Sequence, residues 1–287
     1  PYGYFIGGNG GATIVDRVDY SNDTATASAR ANLDTNTEQF GTIGNNFYGY
    51  ICGNAGSYST VFRIDYSNDL AIASTRGPLS TIRGNMGGTS NPSYGWLGAG
   101  FQSGVARSTV DRIDFSNDTA AAAPKGPFAV ARANGNAAGN NDYGWFTGGQ
   151  TPSPSNLSSI ERIDYSNDFV TAVVKGQMNV DRTAHGTTGN ADFGYSAGGN
   201  PGPYSSVERT TYANDSGTAV YKGPISVAKM YPTGTGNSGF GYFVGGTPNG
   251  STVDRINYAN DTANASTKGP LSVARYVMSS ISGQEDA

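Results

Sequence analysis

The chain has 287 residues and a formal net charge of −4; only 14% of its residues are charged, while 42 are glycine and 18 are tyrosine. The acidic balance disfavours a nucleic-acid partner, which needs a basic face, and no apolar run approaches the ~18 residues of a membrane-spanning helix. Aromatics at 11%, recurring at fixed positions, argue against disorder despite the abundance of small polar residues.

The chain opens at Pro1, which fits a processed chain or a segment of a longer protein. Its first element, Tyr2 to Gly8, begins with an aromatic-Gly-aromatic triplet and ends in Gly-Gly. Val15 to Tyr20 follows as a strand, then a turn at Ser21-Asn22-Asp23, then an Ala/Thr-rich strand. A stretch of the form K-G-P-L-S-V-A-R, clearest at Lys268 to Arg275, leads into a Gly-rich strand and the next triplet. The triplets are Tyr2-Gly3-Tyr4, Tyr48-Gly49-Tyr50, Tyr94-Gly95-Trp96, Tyr143-Gly144-Trp145, Phe193-Gly194-Tyr195 and Phe240-Gly241-Tyr242. The central arginines, Arg17, Arg63, Arg112, Arg162, Arg209 and Arg255, are spaced 46, 49, 50, 47 and 46 residues apart. Four short strands at that period make one propeller blade. The sequence therefore predicts an all-β, six-bladed propeller over residues 1–287 as a single domain. The chain starts at a second strand and finishes with a first-strand segment, Leu271 to Ser282, so the C-terminal strand is expected to complete the N-terminal blade and close the ring.

These phrases resemble the Kelch repeat: a strand ending in Gly-Gly, a V-x-R-x-D-Y strand, a turn and a Pro/Arg-containing approach to the next unit. The outer-strand tryptophan of Kelch is replaced by Ala, Thr or Val, as at Ala25 to Ala27 and Ala263 to Ala265. The wording S-N-D-T-A with K-G-P-L-S-V-A-R also resembles repeat modules of structural and tail-fibre-like proteins of marine tailed bacteriophages. That resemblance implies a virion or extracellular binding and structural module, with a host-surface glycan or protein, or other virion proteins, as partners.

An arginine in every copy reads as a strut between blades, with a packed stem and a hydrogen-bonded head. The acid two residues on becomes Thr211 and Asn257 in the last copies, a drift that a paired-carboxylate mechanism would not survive. The triplet glycine is expected to leave room for the neighbouring blade. Asp19, Asn22 and Asp23 could suggest calcium, but the EF-hand spacing is absent. Asn-Asp also suits a tight turn, where both tolerate positive φ. His185, the one histidine, has no partners for triad or metal chemistry and reads as structural, as does Cys52, which aligns with small or apolar strand residues and leaves no internal disulfide. No phosphate loop of the form G-x-x-x-x-G-K-[ST] is present. The N-x-[ST] sequons at Asn22, Asn117, Asn214 and Asn260 arise from the repeated turn. No cofactor and no enzymatic activity are expected.

One loop class varies while the strands repeat. From the second Gly position to the arginine the distances are 9, 9, 12, 13, 10 and 9 residues, longest in the third and fourth blades. Partner contacts are expected there, at Phe101, Gln102, Arg107, Gln150, Thr151 and Asn156, joined by Tyr58 and Tyr204. Two other readings are an intracellular Kelch adaptor for a peptide and a Kelch-fold oxidase or sugar-processing enzyme. A copper oxidase needs a His/Tyr/Cys cluster, which one His and one Cys hardly supply.

Overall fold

The computed structural model describes residues 2–9, 13–30, 32–34, 38, 40–54, 58–153, 155–248 and 250–283. Their strands form six four-stranded antiparallel sheets, with one small additional hairpin. From the innermost strand outward, the first blade consists of Ser279–Gly283, Tyr2–Ile6, Val15–Asp19 and Ser28–Ala29. The second contains Gly41–Gly44, Tyr48–Asn54, Tyr58–Asp65 and Ser74–Arg76. The third contains Gly87–Ser90, Tyr94–Gly98, Val110–Asp114 and Ala123–Lys125, and carries the extra hairpin of Phe101–Gln102 and Val105–Ala106. The fourth contains Asn136–Gly139, Tyr143–Thr147, Ser159–Asp164 and Val173–Gln177. The fifth contains Gly186–Gly189, Phe193–Ala197, Val207–Thr211 and Val220–Lys222; the sixth contains Thr233–Gly236, Phe240–Val244, Val253–Asn257 and Ser266–Thr267.

Each innermost strand packs against the innermost strands of both neighbouring blades, so the six line one axis. Their small residues follow from that crowding, since a Cβ at Gly88 would collide with the Thr42 carbonyl and one at Gly234 with that of Thr187. Ring closure occurs as expected. Tyr4 is paired with Ile281 and Phe5 with Ser280, all within the first sheet. Ser280 Oγ donates to Gly234 O (2.8 Å) on one side, and its own carbonyl accepts from Thr42 Oγ1 (2.8 Å) on the other. The closing strand is shorter than its sequence phrase, Ser279–Gly283; Leu271 to Met278 forms the connection that reaches it.

Between blades, every described repeat uses the same clamp. Asp69 of the second blade accepts hydrogen bonds from Arg17 (2.8 Å) and the Tyr4 hydroxyl (3.0 Å) of the first. Asp118, Asp168, Asp215, Asp261 and Asp23 do the same for Arg63, Arg112, Arg162, Arg209 and Arg255. Each arginine also lies over the first ring of its own triplet, as Arg17 over Tyr2 at 4.1 Å. The triplet's second ring stacks on the next blade's turn aromatic, as Trp96 on Tyr165 at 3.8 Å between centroids. The repeat arginine is thus an inter-blade strut. The triplet glycine is required by packing: a Cβ at Gly95 would strike Ile43, and one at Gly49 would strike Ile281, both on the preceding blade's innermost strand.

Two local expectations are corrected. In the second to sixth blades the Ser/Ala-Asn-Asp turns are single 3-10 turns, and their aspartates have negative φ, −73° at Asp118 and −74° at Asp69. The aspartate is there to receive the arginine. Ala25 to Ala27 and Ala263 to Ala265 precede the outer strands, which begin at Ser28 and Ser266.

Candidate functional site

A second set of ion pairs fixes one end of the ring. The basic residue ending each K-G-P-L-S-V-A-R phrase turns inward, fully buried, to the acid just before the next repeat arginine. Arg83 meets Asp111 (2.8 Å), Arg132 meets Glu161 (2.5 Å), Lys229 meets Asp254 (2.7 Å) and Arg275 meets Asp16 (2.6 Å), while Arg182 pairs with Glu208. Burial pulls the Arg83 guanidinium downward, and the Asp111 charge opposes that shift. Arg83 also donates to the carbonyls of Ala99 (2.7 Å) and Thr109 (2.8 Å), so it joins its connection to both ends of one long loop. In the second blade the acid is replaced by buried Phe62, and Thr37 holds the sequence position of the base.

These anchored connections deliver the chain to the mouth of the central channel. Just ahead of the innermost strands stand Asn85, Asn134, Ala184, Tyr231 and Val277, at φ of 60°, 56°, 49°, 58° and 59°. The corresponding sequence position of the second blade, Gln39, lies outside the described residues. A backbone relay runs from the third blade to the sixth: Asn134 N donates to Asn85 O (3.1 Å), Ala184 N to Asn134 O (2.7 Å) and Tyr231 N to Ala184 O (3.1 Å). Left-handed backbone costs a non-glycine residue roughly 1–2 kcal/mol, least for Asn. Bulky and β-branched residues are rare there; the relay and the buried Lys229–Asp254 pair hold Tyr231 in place, and the buried Arg275–Asp16 pair, two residues away, fixes the approach to Val277.

The five residues line a cavity of about 130 Å³ with His185 on its wall. No described residue lining it is Asp, Glu, Lys or Arg. The side-chain amides of Asn85 and Asn134 are hydrogen bonded to each other. His185 is buried and its Nε2 contacts Thr147 Oγ1 at 2.9 Å, while Nδ1 has no hydrogen-bond partner. Burial, with the Arg182 charge added, lowers its pKa to about 3, so the ring is neutral at physiological pH.

None of the eight residues expected to contact a partner lines the cavity; they lie in loops of the second to fifth blades. Their loops share its face, because backbone bridges join them to the connections: Phe101 to Gly84, Arg107 to Arg132, Gln150 to Ala133 and Tyr204 to Lys229. Phe101 and Gln102 form one strand of the extra hairpin. Gln150 also bridges Asn156, and its side chain accepts from Asn134 of the mouth at 3.5 Å. Thr151 closes its own loop on Ser153 and Ser155. Tyr58 is exposed at the start of its strand, and the Arg182 guanidinium lies 5.3 Å from the Tyr204 ring. Sequence reading missed the mouth residues. They sit two residues after each buried base, in a stretch where the neighbouring positions vary between copies as well, so no single position stood out.

The opposite end of the channel is a wider opening of about 260 Å³ rimmed by asparagine turns. Four of those asparagines hold their turns: Asn45 Oδ1 accepts from the backbone of Phe47 and Tyr48, and Asn91, Asn140 and Asn237 repeat the arrangement, as does Asn190 in the fifth blade. The turn oxygens considered for calcium are already engaged, Asp19 by Ser21 and Asp23 by Tyr242, Arg255 and Lys268. Among the described residues, no three His, Cys, Asp or Glu side chains gather as metal ligands. Cys52 is buried, and burial pushes its thiol well above the usual range.

The architecture defines the protein as a six-bladed β-propeller, with a mouth whose described lining is uncharged on the face that carries its variable loops. No family model and no curated protein matches the chain.

Proposed function

We propose that this propeller is a non-enzymatic binding module that engages a surface glycan or protein through the loop-bearing face. The observation that carries the reading is the division of labour between repeat positions. Framework residues recur blade after blade in one clamp, whereas side chains on one face differ between blades and two neighbouring loops are enlarged. The interior charges are engaged in structural pairs, between blades at the repeat arginines and between connection and blade at the buried bases, which supports binding over catalysis. The Kelch-like strands and the phage-like phrasing add the finer reading: a virion-associated, tail-fibre-like or surface propeller that adheres to a host or joins other particle proteins, outside the cell.

A glycan array and a pull-down on bacterial envelopes, both with the folded protein, test this. Saturable binding in either is the expected result. Folded protein that binds in neither overturns the reading.

A further inference from the structure

Positive-φ backbone occurs at several places on the loop face, Ser103 and Gly104 of the extra hairpin among them, and two of these sets recur with the blades and differ in composition. Where the second strand ends, the chain uses glycine at Gly7, Gly53, Gly148, Gly198 and Gly245, with Ala99 in the third blade. At the mouth, five described residues with the same backbone requirement include no glycine. If only backbone geometry were selected, glycine would serve both places. Retention of Asn85, Asn134, Ala184, Tyr231 and Val277 implies that their side chains have a task.

Their order around the axis gives that task a chemistry. Asn85 and Tyr231 belong to the third and sixth blades, diametrically opposite in a six-membered ring, and Asn134 adjoins Asn85. The small Ala184 stands between the amides and the phenol ring. The two amides are bonded to each other and Asn134 also donates to Gln150, yet each keeps further donor and acceptor capacity. Such amides, with a tyrosine on the opposite blade, suit a group with hydroxyls in its plane and C–H bonds on its faces. An uncharged lining gives no ion-pair partner to a carboxylate, sulfate or ammonium.

We infer that the channel mouth is a binding subsite for one uncharged saccharide unit, held between Tyr231 and the amides of Asn85 and Asn134. This rests on the binding-module reading and narrows it to a place and a ligand class. The outer loops then select what is attached to that unit.

Glycine substitutions test it, because at these positions glycine removes the side chain while favouring the backbone. Neutral oligosaccharides ending in hexose or N-acetylhexosamine, and their sialylated or uronic-acid counterparts, are titrated calorimetrically against the wild type, Asn85→Gly, Tyr231→Gly and the loop variant Gln102→Ala/Thr151→Ala. Neutral ligands are expected to bind at least tenfold more tightly than acidic ones. Each glycine variant should lose at least tenfold in affinity while its melting temperature holds or rises. Two results overturn the inference and leave the broader reading standing: binding abolished by the loop variant but untouched by both glycine variants, or envelope protein captured with no saccharide bound. Preference for the acidic ligands also overturns it.

Discussion

Asp168 accepts hydrogen bonds from Trp96 Nε1 (2.8 Å) and Arg112 (3.0 Å), and Lys125 lies 3.2 Å from its other oxygen. Asp168→Asn keeps the shape but leaves two cations facing a neutral group, so it should cost about 3 kcal/mol, as for charged hydrogen bonds lost at a buried site. Urea denaturation reads this, and a loss below 1 kcal/mol would mean the clamp carries little of the ring's stability. The arginine's role was legible because it recurs without exception. Its partner was not, because Asn-Asp is also turn chemistry, and sequence alone does not show that the aspartate faces the preceding blade. His185 offers a second prediction. Its pKa falls from 6.5 to about 3 on folding, so the unfolded chain binds the extra proton between those values. Stability from its neutrality is therefore complete above pH ~6.5 and declines as pH falls toward 3, at about 1.4 kcal/mol per pH unit. His185→Gln should remove this slope. Equal slopes for wild type and variant from pH 6 to 4 would contradict it.

At the scale of elements, the buried pairs decide where each connection lies. Arg83 and Asp111 are both fully buried, and either one alone would be an uncompensated charge in the ring. Arg83→Leu and Asp111→Leu should each cost about 3–5 kcal/mol, and the double variant much less than their sum. The second blade already shows the outcome, with Phe62 in the acid's place inside an apolar cluster that includes Leu33 and Phe40. A double-variant loss equal to the sum would show that the two charges act independently. Both members were visible in the sequence, one closing the K-G-P-L-S-V-A-R phrase and one preceding the repeat arginine. Their union was not, because it spans 28 residues and depends on a loop doubling back over the connection. For the same reason the mouth was missed. Its five residues are separated by whole repeats and become neighbours only when the ring closes.

For the whole molecule, blade number, strand count and closure followed from the period and from the phase of the ends, since a unit that begins at its second strand needs a first strand from elsewhere. Closure of that kind makes the position of the chain ends on the ring a matter of connectivity rather than packing. Tyr2 and Gly283 are register partners, so the first and last described residues lie side by side. A circular permutant that joins Ala287 to Pro1 and opens the chain between Ser103 and Gly104 tests this. That site is the exposed tip of the extra hairpin, where a Cβ on Gly104 would meet no other group. The cut removes no strand pairing within a blade and no clamp, and tolerated permutations fall at such tips. The permutant should keep the wild-type melting temperature to within a few degrees. Ile281→Asp should lower it sharply, because Ile281 is buried and fills the space left by Gly49 in the adjoining blade. A permutant that fails to fold would show that the position of the chain ends does matter, and an Ile281→Asp protein of undiminished stability would show that the ring does not depend on its closing strand.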